Sequence, residues 1–91
     1  MNKYLVEFLG TALLTFTIFY TGNWAAIGAS LAIAALLGGK ISGGAFNPAV
    51  AIAYCQSGKI PKGDLVPYIL VEVLGALAAF FAYKNFVKAS L

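Results

Sequence analysis

The sequence predicts an all-α membrane protein with three transmembrane helices and one half-length helix that dips into the bilayer and returns. Three observations carry this reading. Of the 91 residues, 62% are apolar and only 10% are charged, whereas soluble domains carry roughly a quarter. That balance excludes both a water-soluble globule and a disordered chain. Three apolar runs have the length of a membrane crossing. Between the second and third lies a glycine-rich stretch followed by a short apolar helix.

The charges narrow the functional classes. All six cations are lysines, set against three acids, for a net charge of +3. They are too few and too scattered for a nucleic-acid surface. The single cysteine, Cys55, makes neither an internal disulfide nor a metal site. With no histidine, the usual general bases and zinc ligands are missing. Neither an enzyme nor a bound cofactor or metal is expected. The whole chain, 1–91, reads as one unit.

The first span covers about 4–20. It is interrupted only by Glu7 and reaches roughly 25 Å at 1.5 Å per residue. That suits a hydrocarbon core of ~30 Å if the ends are interfacial. The competing reading, a signal peptide, fits poorly with so long a run holding a carboxylate. Thr21-Gly22-Asn23 is a turn, with Asn23 as N-cap of the second span, about 24–38. Gly28 with Ala32, and Ala25 with Ala29, form small faces that let membrane helices approach closely. The third span covers about 65–83, capped by Asp64, with Pro67 tolerated in its first turn. Glu72, Gly75, Ala76 and Ala79 share one of its faces.

The segment 39–58 is the informative part. From Lys40 to Asn47 glycine argues against a helix, and from Pro48 to Gln56 the residues favour one. A helix of about ten residues reaches roughly 15 Å, half a bilayer. An extended stretch followed by such a helix implies a re-entrant loop, allowed at that depth only inside protein or beside water. The alternative, an interfacial helix lying flat, requires a charged face that Ala49-Val50-Ala51-Ile52-Ala53 lacks.

Asn47-Pro48-Ala49 has a direct physical meaning. Proline starts a helix cleanly at the first position. Asparagine before it accepts a first-turn N–H, expected to be that of Val50, and its amide NH2 remains a fixed donor. The helix dipole adds about half a positive charge at the same point. Beside water at mid-membrane, this pair holds a water oxygen and repels cations.

At this point the chain resembles the aquaporin, or major intrinsic protein, family. The residues that carry the resemblance are Ser42-Gly43-Gly44-Ala45-Phe46-Asn47-Pro48-Ala49-Val50, the first-helix pattern Glu7-Phe8-Leu9-Gly10-Thr11, and Tyr68 through Ala76. At the Glu72 position the family usually has glutamine. The resemblance implies an aquaporin-like half-repeat. Members have six spans and two half-helices in two inverted repeats, meeting at the midplane. Three spans and one half-helix supply half of that, and a second, inverted copy or a separate half completes the pore. The lysines divide as Lys3, Lys40, Lys59 and Lys62 against Lys84 and Lys88. That is a mild bias, which leaves dual topology open.

The resemblance also places the constriction. Counting from Asn47, the selectivity-filter positions are Ile27 of one copy with Ala35, Gly44 and Val50 of the other. The family's filter arginine is replaced by Val50, so the filter is expected to be wider, less polar and short of one cation barrier. The pore-lining carbonyls are expected at Gly43, Gly44, Ala45 and Phe46. Glu7, by resemblance, holds the re-entrant loop in shape, and Glu72 supports it from the other side. Thr11 and Thr15 extend the polar stripe of Glu7. Tyr4, Tyr20, Trp24, Tyr68 and Tyr83 read as interfacial anchors.

The expected function is a passive channel for water, small neutral solutes such as glycerol, or both. Its partners are the lipid bilayer, the solute and other copies of itself, as an inverted dimer and conceivably a tetramer of such pairs. One rival is a half-subunit, inactive until it meets a complementary chain carrying the missing arginine. A second is a small dual-topology proton-coupled multidrug transporter, which would use an intramembrane acid such as Glu7 but has no place for the Asn-Pro segment. A purely structural membrane peptide leaves Asn47-Pro48 unexplained.

Overall fold

The computed structural model describes residues 1–88. Three of the four α-helices among the described residues start at a capping asparagine and stop at a left-handed glycine. Helix α1, Lys3–Thr21, begins at extended Asn2, whose side chain accepts the Leu5 N–H. It ends at Gly22, left-handed at φ 55°, whose N–H returns to the Ile18 carbonyl. Helix α2, Trp24–Ser42, is capped by Asn23 accepting from Ala26, and ends at Gly43 with φ 89°. Helix α3, Pro48–Ser57, has Asn47 as its cap, proline at its start and left-handed Gly58 at its end. One turn of 3-10 helix, Lys62–Asp64, leads into α4, Leu65–Ala82. Beyond Ala82 the coil widens to π spacing over Tyr83–Val87.

Helix α2 runs four residues past its expected end at 38, so the non-helical stretch begins at Gly43 rather than 39. The Gly38-Gly39 pair does not break the helix. A Cβ at Gly38 would strike the Val6 side chain, so this glycine is a contact surface. In lipid no water competes for the backbone groups it leaves thinly covered, and the helix persists. The first residue that must leave helical space is Gly43.

Helix α1 is central, with α2 packed on one flank and α4 on the other, while α3 rests on α4. The α2 face turned inward is Ser30, Ala34, Gly38 and Ser42, spaced four apart. The expected Gly28/Ala32 face lies outward instead, with open space at Gly28. Both faces are small, and spacing alone does not separate them. On α4 the buried face is Tyr68, Glu72, Gly75 and Ala79. A Cβ at Gly75 would overlap the Phe8 carbonyl, so α1 and α4 touch backbone to backbone there.

Asp64 does not cap α4 with its side chain. Its carboxylate instead accepts from Lys3 Nζ at 2.6 Å and Tyr4 Oη at 2.8 Å, tying the start of α4 to the start of α1. Helices α1, α2 and the stretch Lys62–Val87 are long and apolar enough to cross a membrane.

Candidate functional site

The segment between α2 and α3 rises into the bundle and comes back to the end from which it left. Gly43 lies 3.8 Å, measured from where its Cβ would be, from Ile60 and Lys59 on the returning strand of chain. At its deepest, the Phe46 ring fills the gap left by Gly10 of α1, in a cluster with Val6 and Ala34. Phe46 is 2% exposed, so it is a packing residue and the wedge that fixes the depth of the turn. Its backbone sits at φ 51°, a conformation side chains other than glycine seldom adopt.

That strained turn is held by Glu7. Its Oε1 accepts the Phe46 N–H at 2.7 Å, and its Oε2 accepts the Ala45 N–H at 3.2 Å and the Ser42 hydroxyl at 2.6 Å. Ser42 is a hub. Its hydroxyl oxygen accepts the Gly44 N–H, and its carbonyl accepts the Tyr68 hydroxyl at 2.6 Å. Tyr68 is therefore buried, 1% exposed, and is not the interfacial anchor its place in the sequence implied. Trp24 and Tyr20 remain exposed at the far end. Tyr4 is turned to Asp64, and Tyr83 stacks near Phe19.

Because a trans peptide points its N–H and C=O in opposite directions, the three N–H groups drawn inward turn the carbonyls of Gly43, Gly44 and Ala45 the other way. The carbonyl of Phe46 is not fixed in this way. Asn47 follows, with its Oδ1 accepting the Ala49 N–H at 2.8 Å, one residue earlier than the expected Val50. The extended backbone at Asn47 brings the first free donor within reach sooner. Asn47 is exposed, at the positive end of the α3 dipole. Beyond it, between α1 and α4, opens a cavity of about 330 Å³ lined by Asn47, Pro48, Thr11, Thr15, Glu72 and Leu77 among others.

The remaining expected positions are placed as follows. Gly44 packs against Gly39 and Ala35, so those two filter positions lie together. Val50 is half-buried on α3, against the Ala51 and Tyr68 cluster. Ile27 lies on α2 two turns from Ala35, roughly 12 Å along the axis, and does not join them. Ala49 is exposed and Pro48 half-buried. Glu72 is fully buried beside Glu7 and the Asn47 peptide N–H. At the opposite mouth a second cavity gathers Lys3, Lys40, Lys59 and Asp64.

Sequence reasoning passed over Ser42 and Tyr68 as parts of the site. A serine before two glycines at a helix end is a signal for the first, since it supplies an acceptor that turns the chain. Nothing in the local pattern marks Tyr68, because its role arises only when α4 meets α2's end.

The sequence pattern of the major intrinsic protein family matches residues 1–90. The chain is 40% identical to glycerol uptake facilitator protein-like 6 of Lactiplantibacillus plantarum, over 98% of this chain and 45% of that protein. It is 37% identical to Aquaporin Z of Brucella melitensis, over 87% of this chain and 41% of the relative. Aquaporin Z of Rhodopseudomonas palustris is 38% identical, over 86% and 39%. No solved structure matches. The chain thus spans less than half the length of these curated relatives. With three stretches of helix long and apolar enough to cross a membrane and a pattern match along nearly its whole length, the chain is an integral membrane protein and belongs to the major intrinsic protein family.

Proposed function

We propose that the chain forms a passive channel for water and small neutral solutes, with the pore completed by a second, inverted half. The observation that carries this reading is the end of α3. A capped, positively polarised helix terminus stops at mid-bundle and faces a cavity that no element among the described residues fills. A single half-repeat presents its donors to one side only, and a second half supplies the opposing wall and the opposing dipole. The names of the relatives, a glycerol uptake facilitator and two of Aquaporin Z, support a solute in this class.

In this reading Asn47 is the donor to the passing solute, and the carbonyls of Gly43, Gly44, Ala45 and Phe46 are the acceptors along its path. Ile27, Ala35, Gly44 and Val50 form the constriction. With alanine, glycine and valine there, the filter is wide and apolar, and cation exclusion rests on Asn47 and the paired dipoles. Glu7 and Glu72 support the turn. A pair of inverted copies supplies the whole pore, and such pairs cluster as homo-oligomers.

The test is osmotic shrinkage of proteoliposomes holding only this chain. Both water and glycerol pass in the expected result, and protons do not. Water flux with complete exclusion of glycerol contradicts the wide filter. No flux from the pure chain, restored by co-reconstitution with an arginine-bearing half, supports instead the half-subunit that needs a different partner. That second reading is favoured by one observation, the absence of any arginine in the chain.

A further inference from the structure

Two carboxyl groups are fully buried in this bundle, Glu7 on α1 and Glu72 on the face of α4 that packs against α1, and only one of them receives a set of well-placed donors. Glu7 receives three donors, the Ala45 and Phe46 N–H groups and the Ser42 hydroxyl. The Ser42 proton goes to Glu7 at 2.6 Å rather than to the Gly38 carbonyl at 3.4 Å, while the same oxygen accepts from Gly44. Glu72 lies against the Glu7 carboxyl and the Asn47 peptide. Yet among the described residues no donor meets either of its oxygens in good hydrogen-bonding geometry, the neighbouring Asn47 N–H included. The Thr11 hydroxyl, one turn along α1 from Glu7 and on the wall of the cavity that Glu72 and Asn47 line, is also buried without a partner among the described residues.

Two ionised carboxylates in contact are acceptors facing acceptors. At ~4 Å and an effective dielectric near 20 they repel strongly, and each also loses its hydration. The other titratable group facing Glu72 is Tyr68, one turn earlier on α4, and its proton is already given to the Ser42 carbonyl. The half-helix start, Asn47-Pro48-Ala49, brings no titratable group. Lys3, the lysine at the near end of α1, is paired with Asp64. No cation among these neighbours compensates a second negative charge. A proton does so, and it converts the contact into a hydrogen bond. Glu7 already has three donors, so the acid that keeps the proton is Glu72.

We propose that Glu72 is a neutral carboxylic acid whose O–H donates to the Glu7 carboxylate, so that the pair carries one proton and one charge and Glu72 acts as a positioning residue for the Gly43–Asn47 turn. The Glu72 C=O is then free to accept from Thr11 or from water in the cavity. The consequence for solute flux rests on the channel reading above, whereas the proton itself does not.

Infrared spectroscopy of the whole chain in lipid at neutral pH tests this directly. The chain has only three acidic side chains, so the spectrum is sparse. A protonated-carboxyl C=O band that shifts in D2O is expected in the wild type, retained in Asp64→Asn and lost in Glu72→Gln. The amide of Glu72→Gln still donates to Glu7, so this variant keeps the wild-type melting midpoint, while Glu72→Leu lowers it by ~4–8 °C. Absence of the band in folded wild type overturns the proposal, as does its survival in Glu72→Gln. Equal losses of stability in the amide and leucine variants also overturn it, since they show that the position is only steric. A wild type that conducts nothing contradicts the channel reading alone and leaves the infrared result standing.

Discussion

The two ends of the bundle are built differently. Toward the end that holds Lys3, Lys40 and Lys59, the largest fully buried side chains are Tyr68, Phe46, Glu7 and Glu72, and α3 with its turn supplies or contacts most of them. Toward the other end the buried residues are small: Ser30, Gly75 and Ala79. There α1 and α4 meet through the close approach at Gly75 and through half-exposed rings, Phe19 on Phe80 and Phe16 on Tyr83. One end has a filler behind a cavity at its lysine-lined mouth, and the other opens directly on the cavity between α1 and α4. The first is a polar scaffold that fixes a strained turn, and the second is left open between α1 and α4. A half-helix of ten residues can fill only one end, and the difference between the ends follows from that length.

The largest expected effect comes from breaking what the two ends share. Gly75→Leu pushes a side chain into the Phe8 carbonyl, backbone that cannot yield. Overpacking costs ~1–3 kcal/mol where neighbours can shift and more where they cannot. Loss of a monodisperse folded species in detergent is expected, read by size exclusion and thermal unfolding. A Gly75→Leu protein as stable as wild type contradicts the α1–α4 contact.

Next is the filled end alone. Glu7→Leu leaves the Ala45 and Phe46 N–H groups and the Ser42 hydroxyl buried without their acceptor. Each such group costs ~1–3 kcal/mol. Glu7→Gln keeps an acceptor oxygen and costs less. Amide hydrogen exchange separates them: Gly44, Ala45 and Phe46 lose protection in the leucine variant, while the far half of α4 keeps its own. Uniform loss along the chain contradicts the idea that the two ends are separately supported.

The smallest effect is at the mouth. Asp64→Ala removes the acceptor for Lys3 and Tyr4. Lys3 is 39% exposed in its side chain, so water and salt screen much of that pair. A slight fall in the melting midpoint is expected, fading as ionic strength rises. A large, salt-independent loss contradicts the screening of this pair through the water-exposed Lys3.

Much of this architecture was legible because its signals are local. Asn23 and Asn47 cap, Thr21-Gly22-Asn23 turns, and Pro48 opens α3, each from residue type alone. Three things were not legible. The Gly38-Gly39 pair looked like a helix end because a glycine breaker and a glycine contact are written alike, and only the approach of Val6 tells them apart. Asp64 looked like a cap because the lysine and tyrosine that claim it are some sixty positions away. Tyr68 looked like an anchor because its distance from the run's start matches an interface, while its actual partner is the end of α2. In each case a long-range partner outweighed a local preference.

Whether a second, oppositely oriented half fills the empty end is tested most directly by orientation. In a Cys55→Ser background, single cysteines at Gly63, in the exposed turn before α4 with open space around it, and at exposed Lys84 mark the two ends. Intact cells are then treated with a membrane-impermeant thiol reagent. A pore completed by a second copy predicts that each site is labelled in about half of the molecules. Labelling of one site in all molecules and of the other in none contradicts an inverted pair of identical chains.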